Sequence, residues 1–415
     1  MSKHILIVGA GVVGLSTAYH AARKGHRVTV VDRGTPESEG CSFGNAGMVV
    51  PSHFVPLAAP GMVGRVLRSM LRAESPIHVK PRPELLGWGF RFWRAATAEH
   101  VHRSGPLLRD LHLAGRAGYE EWAGLWGDTF GWTTNGLLML CHTVEGMEQE
   151  AQTADKAREL GIPAKVLDAK ATAQVEPNLR LDVKGSVHYP KDAHLSPGRL
   201  MALLREKSQH AGAQIAWNTL VTGWRTASGR VTGLRTSHGD LHADEYVLCA
   251  GAWSASVVRD LGLRLPLEAG KGVSLTLPTP KRLPRVCAIL SEAHVAVTPM
   301  DGSLRFGGTM ELGGLDESID PARVRGILKA IPRYMPEFTS ADFAGVAPWC
   351  GLRPCSPDGL PYLGRFARYA NLSAATGHAM MGLSLAPVTG RLLAEVLSDE
   401  TPFLDIKPLS PDRFS

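Results

Sequence analysis

The run Ile5-Leu-Ile-Val8, followed at once by Gly9-Ala-Gly11-Val-Val-Gly14, constrains this chain more than any other stretch of its 415 residues. Four consecutive apolar residues suit a parallel strand buried on both faces. Leu15, Ala18, Tyr19 and Ala22 then recur at helical spacing, Gly25 supplies a stop, and Arg27 to Val31 reads as a second strand ending at Asp32. The result is a complete βαβ unit. In such a unit the first glycine permits a tight turn, the second lets a pyrophosphate approach the backbone, and the third lets helix and strand pack closely. Val12 and Val13 open the helix, whose N-terminus faces the phosphates. Asp32 lies eighteen residues past Gly14, where a carboxylate meets the hydroxyls of an adenosine ribose, and Arg33 stands beside it. The unit specifies a dinucleotide and does not by itself choose between FAD and NAD.

The length suggests two or three folding units. A composition of 44% hydrophobic and 20% charged residues is that of a globular enzyme. The six cysteines form no C-x-x-C pair and the sixteen histidines no H-E-x-x-H, so no metal, iron–sulfur cluster or disulfide framework is expected. The first apolar run is broken by glycines and lacks a small-residue cleavage site, which points to a cytoplasmic chain. Net charge is +6, and most of it lies between Gly61 and Arg94, where Arg65, Arg68, Arg72, Lys80, Arg82, Arg91 and Arg94 face only Glu74 and Glu84. Val63, Val66, Leu67, Met70 and Leu71 share one helical face there and the arginines another, with four aromatics following between Leu85 and Trp93. A helix packed on the protein with a solvated arginine face is the favoured reading of residues 61–94. Peripheral contact with the inner face of the membrane is the alternative. No nucleic-acid module accompanies the charge.

Three further segments carry a family likeness. Cys41-Ser42-Phe-Gly-Asn45-Ala46-Gly47-Met48 looks like the loop that follows the ribose-binding acid and brings backbone amides beside a flavin. An apolar strand running into Ala250-Gly251-Ala-Trp253-Ser254 looks like a late flavin-domain turn. Thr376-Gly377-His378-Ala-Met380-Met381-Gly382-Leu383-Ser384 looks like a closing motif in which a helix N-terminus points at the flavin ring. In this order, from end to end, the chain resembles the D-amino-acid oxidase superfamily of FAD enzymes, particularly its bacterial D-amino-acid dehydrogenase branch. The resemblance implies FAD. It also implies an α/β fold in which a Rossmann-like FAD domain (1–55, 190–262 and 345–401) carries an inserted α+β substrate domain with a large antiparallel sheet (56–189 and 263–344), followed by a tail, 402–415.

The same resemblance gives a substrate site. Gly351-Leu-Arg353-Pro matches the G-L-R-P segment whose arginine holds the substrate carboxylate, and a guanidinium fork suits that task. The competing role for Arg353 is an ion pair with Asp358. His53, Tyr189 and Glu311 are further candidates for the pocket, each with a structural reading beside the functional one. Val295 to Glu311 reads as a hairpin turning at Asp301-Gly302. Some relatives attach flavin through a cysteine whose slot here is Gly351, one residue from Cys350, so noncovalent FAD is expected. The implied reaction is oxidation of a small amino or imino acid, of the D-amino-acid or D-proline and hydroxyproline type, by hydride transfer from the α-carbon. No second dinucleotide motif is visible, so the electrons are expected to pass to a quinone, a carrier protein or O2. The alternatives are a glycine or sarcosine oxidase, and a catalytically silent FAD-binding subunit.

Overall fold

The computed structural model describes residues 1–69 and 74–415. Met70, Leu71 and Arg72, which the sequence places on the basic amphipathic helix, lie outside the described residues. The first four helices are α1 (Val12–Arg23), α2 (Met62–Ser69), α3 (Pro83–Ala95) and α4 (Ala98–Trp126).

Among the described residues, six strands form the nucleotide sheet, in the order Tyr362–Arg365, Leu372–Thr376, Glu245–Leu248, His4–Val8, Arg27–Val31, Gln214–Ala216. All neighbours are parallel except the Tyr362–Arg365 edge. Ile5, Leu6 and Ile7 are wholly buried, as an apolar run between two covered faces requires. α1 and the C-terminal helix Ala386–Leu397 cover one face and share a core with Ile5, Ile7, Val28 and Val30.

A second sheet, nine-stranded among the described residues, is mainly antiparallel and supplies the substrate side. Its relevant strands are Trp349–Cys355, Glu268–Leu277, Ser303–Leu312 and Val295–Met300, hydrogen-bonded in that order. Two pairings are parallel, Cys287–Leu290 with Leu137–Cys141 and Ile77–Val79 with Met310–Leu312. The hairpin between Val295 and Leu312 turns where the sequence places it. Met300 pairs with Ser303, and Asp301 and Gly302 both take positive φ, 52° and 78°, as a primed turn demands.

Two elements depart from the expected partition. Trp349–Cys355, placed after the 345 boundary with the FAD domain, pairs with Glu268–Leu277 and so belongs by hydrogen bonding to the substrate sheet. α4, expected in the substrate domain, sends Leu108, Leu111, Tyr119 and Trp122 into the core of the nucleotide half. The 402–415 tail is docked: Leu409 is fully buried, and Arg413 makes a bidentate pair with Asp358 at 2.8 and 2.9 Å.

Candidate active site

The glycine turn is built as its spacing requires. Gly9 has φ +111°, and a Cβ there would lie 2.4 Å from the Cys249 carbonyl oxygen; a Cβ on Gly14 would lie 1.9 Å from Gly9 O. At Gly11 the nearest atom to such a Cβ is Ser42 Oγ, at 3.4 Å, so this position is the open one. α1 starts at Gly11 without a side-chain cap, and Val12 N donates to Ser42 Oγ over 3.1 Å. A helix N-terminus whose cap residue has no side chain, beside open space, fits a pyrophosphate. Asp32 accepts from Ala10 N and Gly34 N, both at 2.7 Å, which fixes its carboxylate at the end of the second strand. Arg33 lies 4.0 Å over the Trp253 ring, joining two predicted cofactor residues from distant segments. Ser254 Oγ donates to Thr376 Oγ1 (3.0 Å), which in turn donates to Gly251 O (3.1 Å), so the Ala250–Ser254 turn and the closing segment are one unit. Gly377, at φ +78°, then begins the turn Ala379–Met381, and the long helix starts only at Ala386. These residues fit FAD.

Beyond the loop 41–48 opens a cavity of about 500 Å³. Asn45, Ala46, Met48 and Met381 line one side; Val273, Gly307 to Met310, Gly351 and Arg353 line another. Met62, Val63 and Val66 of α2, with Trp88 and Phe92 of α3, form an apolar roof. Trp88 is held by stacking on Phe92, with centroids 5.1 Å apart, and by donating Nε1–H to Cys355 O at 2.9 Å. Asn45 ties the loop down: its Oδ1 accepts from Gly47 N at 2.9 Å. Arg305 reinforces it, donating Nη1 to Phe43 O (3.1 Å) and Asn45 O (2.8 Å) and Nε to Thr276 Oγ1 (3.0 Å).

Arg353 enters this cavity from the fifth position of its strand. Trp349 and Gly351 point the same way, while Cys350 points to the opposite face and donates its thiol to Glu317 O at 3.0 Å. Burial pulls the Arg353 pKa down, and among the described residues no carboxylate pairs with it. Asp358 is taken by Arg413. One guanidinium nitrogen donates to Thr309 O at 2.7 Å. That carbonyl is turned by a β-bulge, where the register slips between Lys271 and Val273 and Thr309 adopts φ 64°. Gly272 leaves the space the guanidinium occupies, since a Cβ there would lie 2.0 Å from Arg353 Nη2.

The other candidates divide. His53 lines the cavity, and burial lowers its pKa to about 4, so the ring is neutral. Tyr189 does not line it; the side chain is buried in a cluster with Met48, Val50 and Phe54. Glu311 is also turned away, bonded to Lys271 at 2.9 Å and Lys80 at 3.1 Å in a buried ion cluster that Arg323 approaches. His378 faces the core, its Nε2 on Thr389 Oγ1 at 3.1 Å. Leu383 and Ser384 are buried supports: Leu383 O accepts from Tyr119 OH (2.6 Å), and Ser384 Oγ accepts from Val50 N (3.1 Å) and meets His112 Nδ1 (3.0 Å). Sequence reading missed the Trp88–Phe92 roof, although both lie in the aromatic run it noted. It also missed Ser52 and Asp192 behind His53, which carry no motif.

Comparison with known proteins follows the same lines. The family model DAO, described as FAD dependent oxidoreductase, matches residues 4–396. Among curated proteins, the D-amino acid dehydrogenase of Granulibacter bethesdensis is 31% identical over 99% of both chains. That of Methylobacterium radiotolerans is 33% identical over 99% of this chain and all of its own length. Among solved structures, glycine oxidase from Geobacillus kaustophilus superposes with a TM-score of 0.80 at 25% identity, covering 100% of this chain and 99% of its own.

Proposed function

Because the chain belongs to the DAO family of FAD-dependent oxidoreductases, we propose that it dehydrogenates D-amino acids or cyclic imino acids of the D-proline and hydroxyproline type. The observation that carries the reading is Arg353, a half-buried guanidinium that no carboxylate pairs among the described residues, on the wall of an apolar cavity. A guanidinium so placed is satisfied by a carboxylate brought in from outside. The relatives named as D-amino acid dehydrogenases, matched over nearly their whole length, supply the configuration.

Bound FAD supplies the two-electron acceptor for the α-hydrogen. Arg353 holds the carboxylate and restricts the rotation of the α-carbon, a positioning effect that lowers the barrier by several kcal/mol in favourable cases. The Trp88–Phe92 roof excludes water, which favours a neutral amine over an ammonium. The same roof suits a substrate with an apolar side chain or ring better than it suits glycine. The placement of Cys350 on the face opposite the cavity supports noncovalent FAD. The name dehydrogenase in the relatives supports a quinone or carrier protein as acceptor ahead of oxygen.

We further propose that α2 and α3 rest on an anionic membrane surface, where a quinone would be at hand. Leu67, Leu86 and Phe90 are 61%, 75% and 57% exposed beside Arg68, Arg91 and Arg94. Among the described residues no helix is long and apolar enough to cross a membrane.

Anaerobic bleaching of the flavin by paired D- and L-amino acids, proline and hydroxyproline included, tests the substrate. D-enantiomers are expected to bleach it. Bleaching by L-enantiomers or glycine alone would overturn the D assignment, and no bleaching by any amino acid would leave only an FAD-binding subunit.

A further inference from the structure

We propose that His53, Ser52 and Asp192 form a relay that carries the ammonium proton of the substrate out of the cavity before the α-hydrogen is removed. The inference rests on the amino-acid reading above.

An amino acid arrives as a zwitterion, and its nitrogen must shed a proton before the α-hydrogen can leave with an electron pair. Few cavity groups can accept that proton. Arg353 and Arg65 are already cations, and burial pushes the Cys41 thiol up. His294, which also lines the cavity, has its pKa lowered by burial and by Arg65 and, among the described residues, no hydrogen bond from its ring that leads on to a carboxylate. His53 remains. Its Nδ1 meets Ser52 Oγ at 3.1 Å, and Ser52 Oγ donates to Asp192 Oδ2 at 2.5 Å. Asp192 Oδ1 also accepts from Ser52 N at 3.0 Å, so the carboxylate is held by both ends of one residue. Among the described residues no group bonds to His53 Nε2.

The tautomer follows from counting protons. With Asp192 ionised, the Ser52 hydroxyl proton is committed to the carboxylate. His53 must then donate through Nδ1, and Nε2 carries a lone pair on the cavity side. When Nε2 takes the ammonium proton, the Nδ1 proton passes to Ser52 Oγ and the Ser52 proton to Asp192. Imidazole and serine end neutral, the amine ends neutral, and the carboxylate ends as an acid. No electron pair leaves the relay.

The carboxylate is suited to receive it, because burial raises the Asp192 pKa to about 7, held back by its two bonds from Ser52 and by Arg116. Tyr189 and Cys287 face it from the substrate sheet, both neutral with their own pKa values raised by burial. His112 of α4 faces His53, and burial holds it neutral as well, at about 3. Arg116 is therefore the one charged neighbour named by geometry or electrostatics among the described residues. Asp192 and Ser52 are positioning residues acting through His53.

The holoenzyme with [15N]histidine tests this without turnover. Two-bond 1H–15N spectra should show His53 protonated at Nδ1 at pH 9 and at Nε2 at pH 6, the exchange disappearing in Asp192→Asn. In anaerobic stopped flow with D-proline, wild type should lose flavin-reduction rate as the pH falls through about 7. Asp192→Asn and Ser52→Ala should each be at least tenfold slower at pH 8 and lack that inflection, while binding benzoate, a carboxylate without an amine, within twofold of wild type. Unfolding midpoints supply a check independent of substrate. Asp192 has a folded pKa above its ordinary value of 3.8, so its protonation favours the folded chain. Wild type should lose stability relative to Asp192→Asn as the pH rises from about 4 to about 7, and no further above. A His53 tautomer unchanged between pH 6 and 9, or an inflection that survives in Asp192→Asn, would overturn the relay. Failure of D-proline and every other amino acid to bleach wild type would sink the substrate reading, and the tautomer spectra would still decide the relay.

Discussion

At the scale of single residues, the site turns on Arg353, which no carboxylate pairs among the described residues. Arg353 makes a single hydrogen bond to backbone oxygen, leaving the rest of its fork for a substrate. Two charge-assisted bonds to a carboxylate are together worth roughly 3 kcal/mol, or about a hundredfold in binding. Arg353→Ala is therefore expected to lower kcat/KM for the D-amino acid at least that far while FAD still binds, and Arg353→Lys to recover only part of it, because an ammonium lacks the planar fork. Steady-state kinetics beside the flavin absorption spectrum would check both. Unchanged kcat/KM in the alanine variant would remove the carboxylate role. The sequence made Arg353 legible through its G-L-R-P setting but left Asp358 as a rival partner, and the rivalry ends with Arg413, a residue no local pattern connects to either. Glu311 shows the limit of strand parity. Side chains alternate along an unbroken strand, yet Gly307 to Met310 all reach the cavity because the bulge at Thr309 interrupts the alternation. No count along the sequence finds such a bulge.

Among elements, α2 and α3 do two tasks with opposite faces. Met62, Val63 and Val66 turn to the cavity, as do Trp88 and Phe92, and so the packed-helix expectation holds for those faces. Leu86 and Phe90 point outward with Arg91 and Arg94, while Trp93 is exposed at the cavity rim. Helical periodicity showed the two stripes on α2 but could not say which side of the aromatic run on α3 would be covered, because Trp88, Phe90, Phe92 and Trp93 span both. Replacing Leu86 and Phe90 together by serine is expected to leave D-amino-acid turnover with a soluble dye within about twofold, since surface changes away from packing cost little. The same replacement should abolish flotation with anionic liposomes, and high salt should weaken flotation of wild type. Equal flotation of the two proteins, or none by wild type, would remove the membrane proposal. The βαβ unit was the most legible element because its strand, turn and helix are contiguous. The roof was the least, because its partners come from the other sheet.

Across the whole molecule, both halves are stitched from distant segments, and the chain end closes the seam. Arg413 pairs with Asp358, donates to Leu360 O at 2.6 Å and lies 4.0 Å over the Tyr362 ring. Both side chains of the pair are nearly buried, so Arg413→Ala strands a carboxylate and is expected to cost roughly 3–5 kcal/mol. Thermal unfolding with bound FAD would register it as a drop of several degrees, and a change under one degree would show that the tail is dispensable. Fold class was readable from the resemblance, whereas the domain seams were not, because α4 and the Trp349–Cys355 strand each sit across them. The nucleotide sheet also has a history in time. His4–Val8 lies between Arg27–Val31, made moments after it, and Glu245–Leu248, which a ribosome working at 5–20 residues per second delivers roughly 10–50 s later. Leu372–Thr376 comes later still. During synthesis the glycine turn waits beside an unpaired strand edge, and a nascent protein cut short before Leu372–Thr376 and the turn after it lacks part of the cradle that its first thirty residues begin.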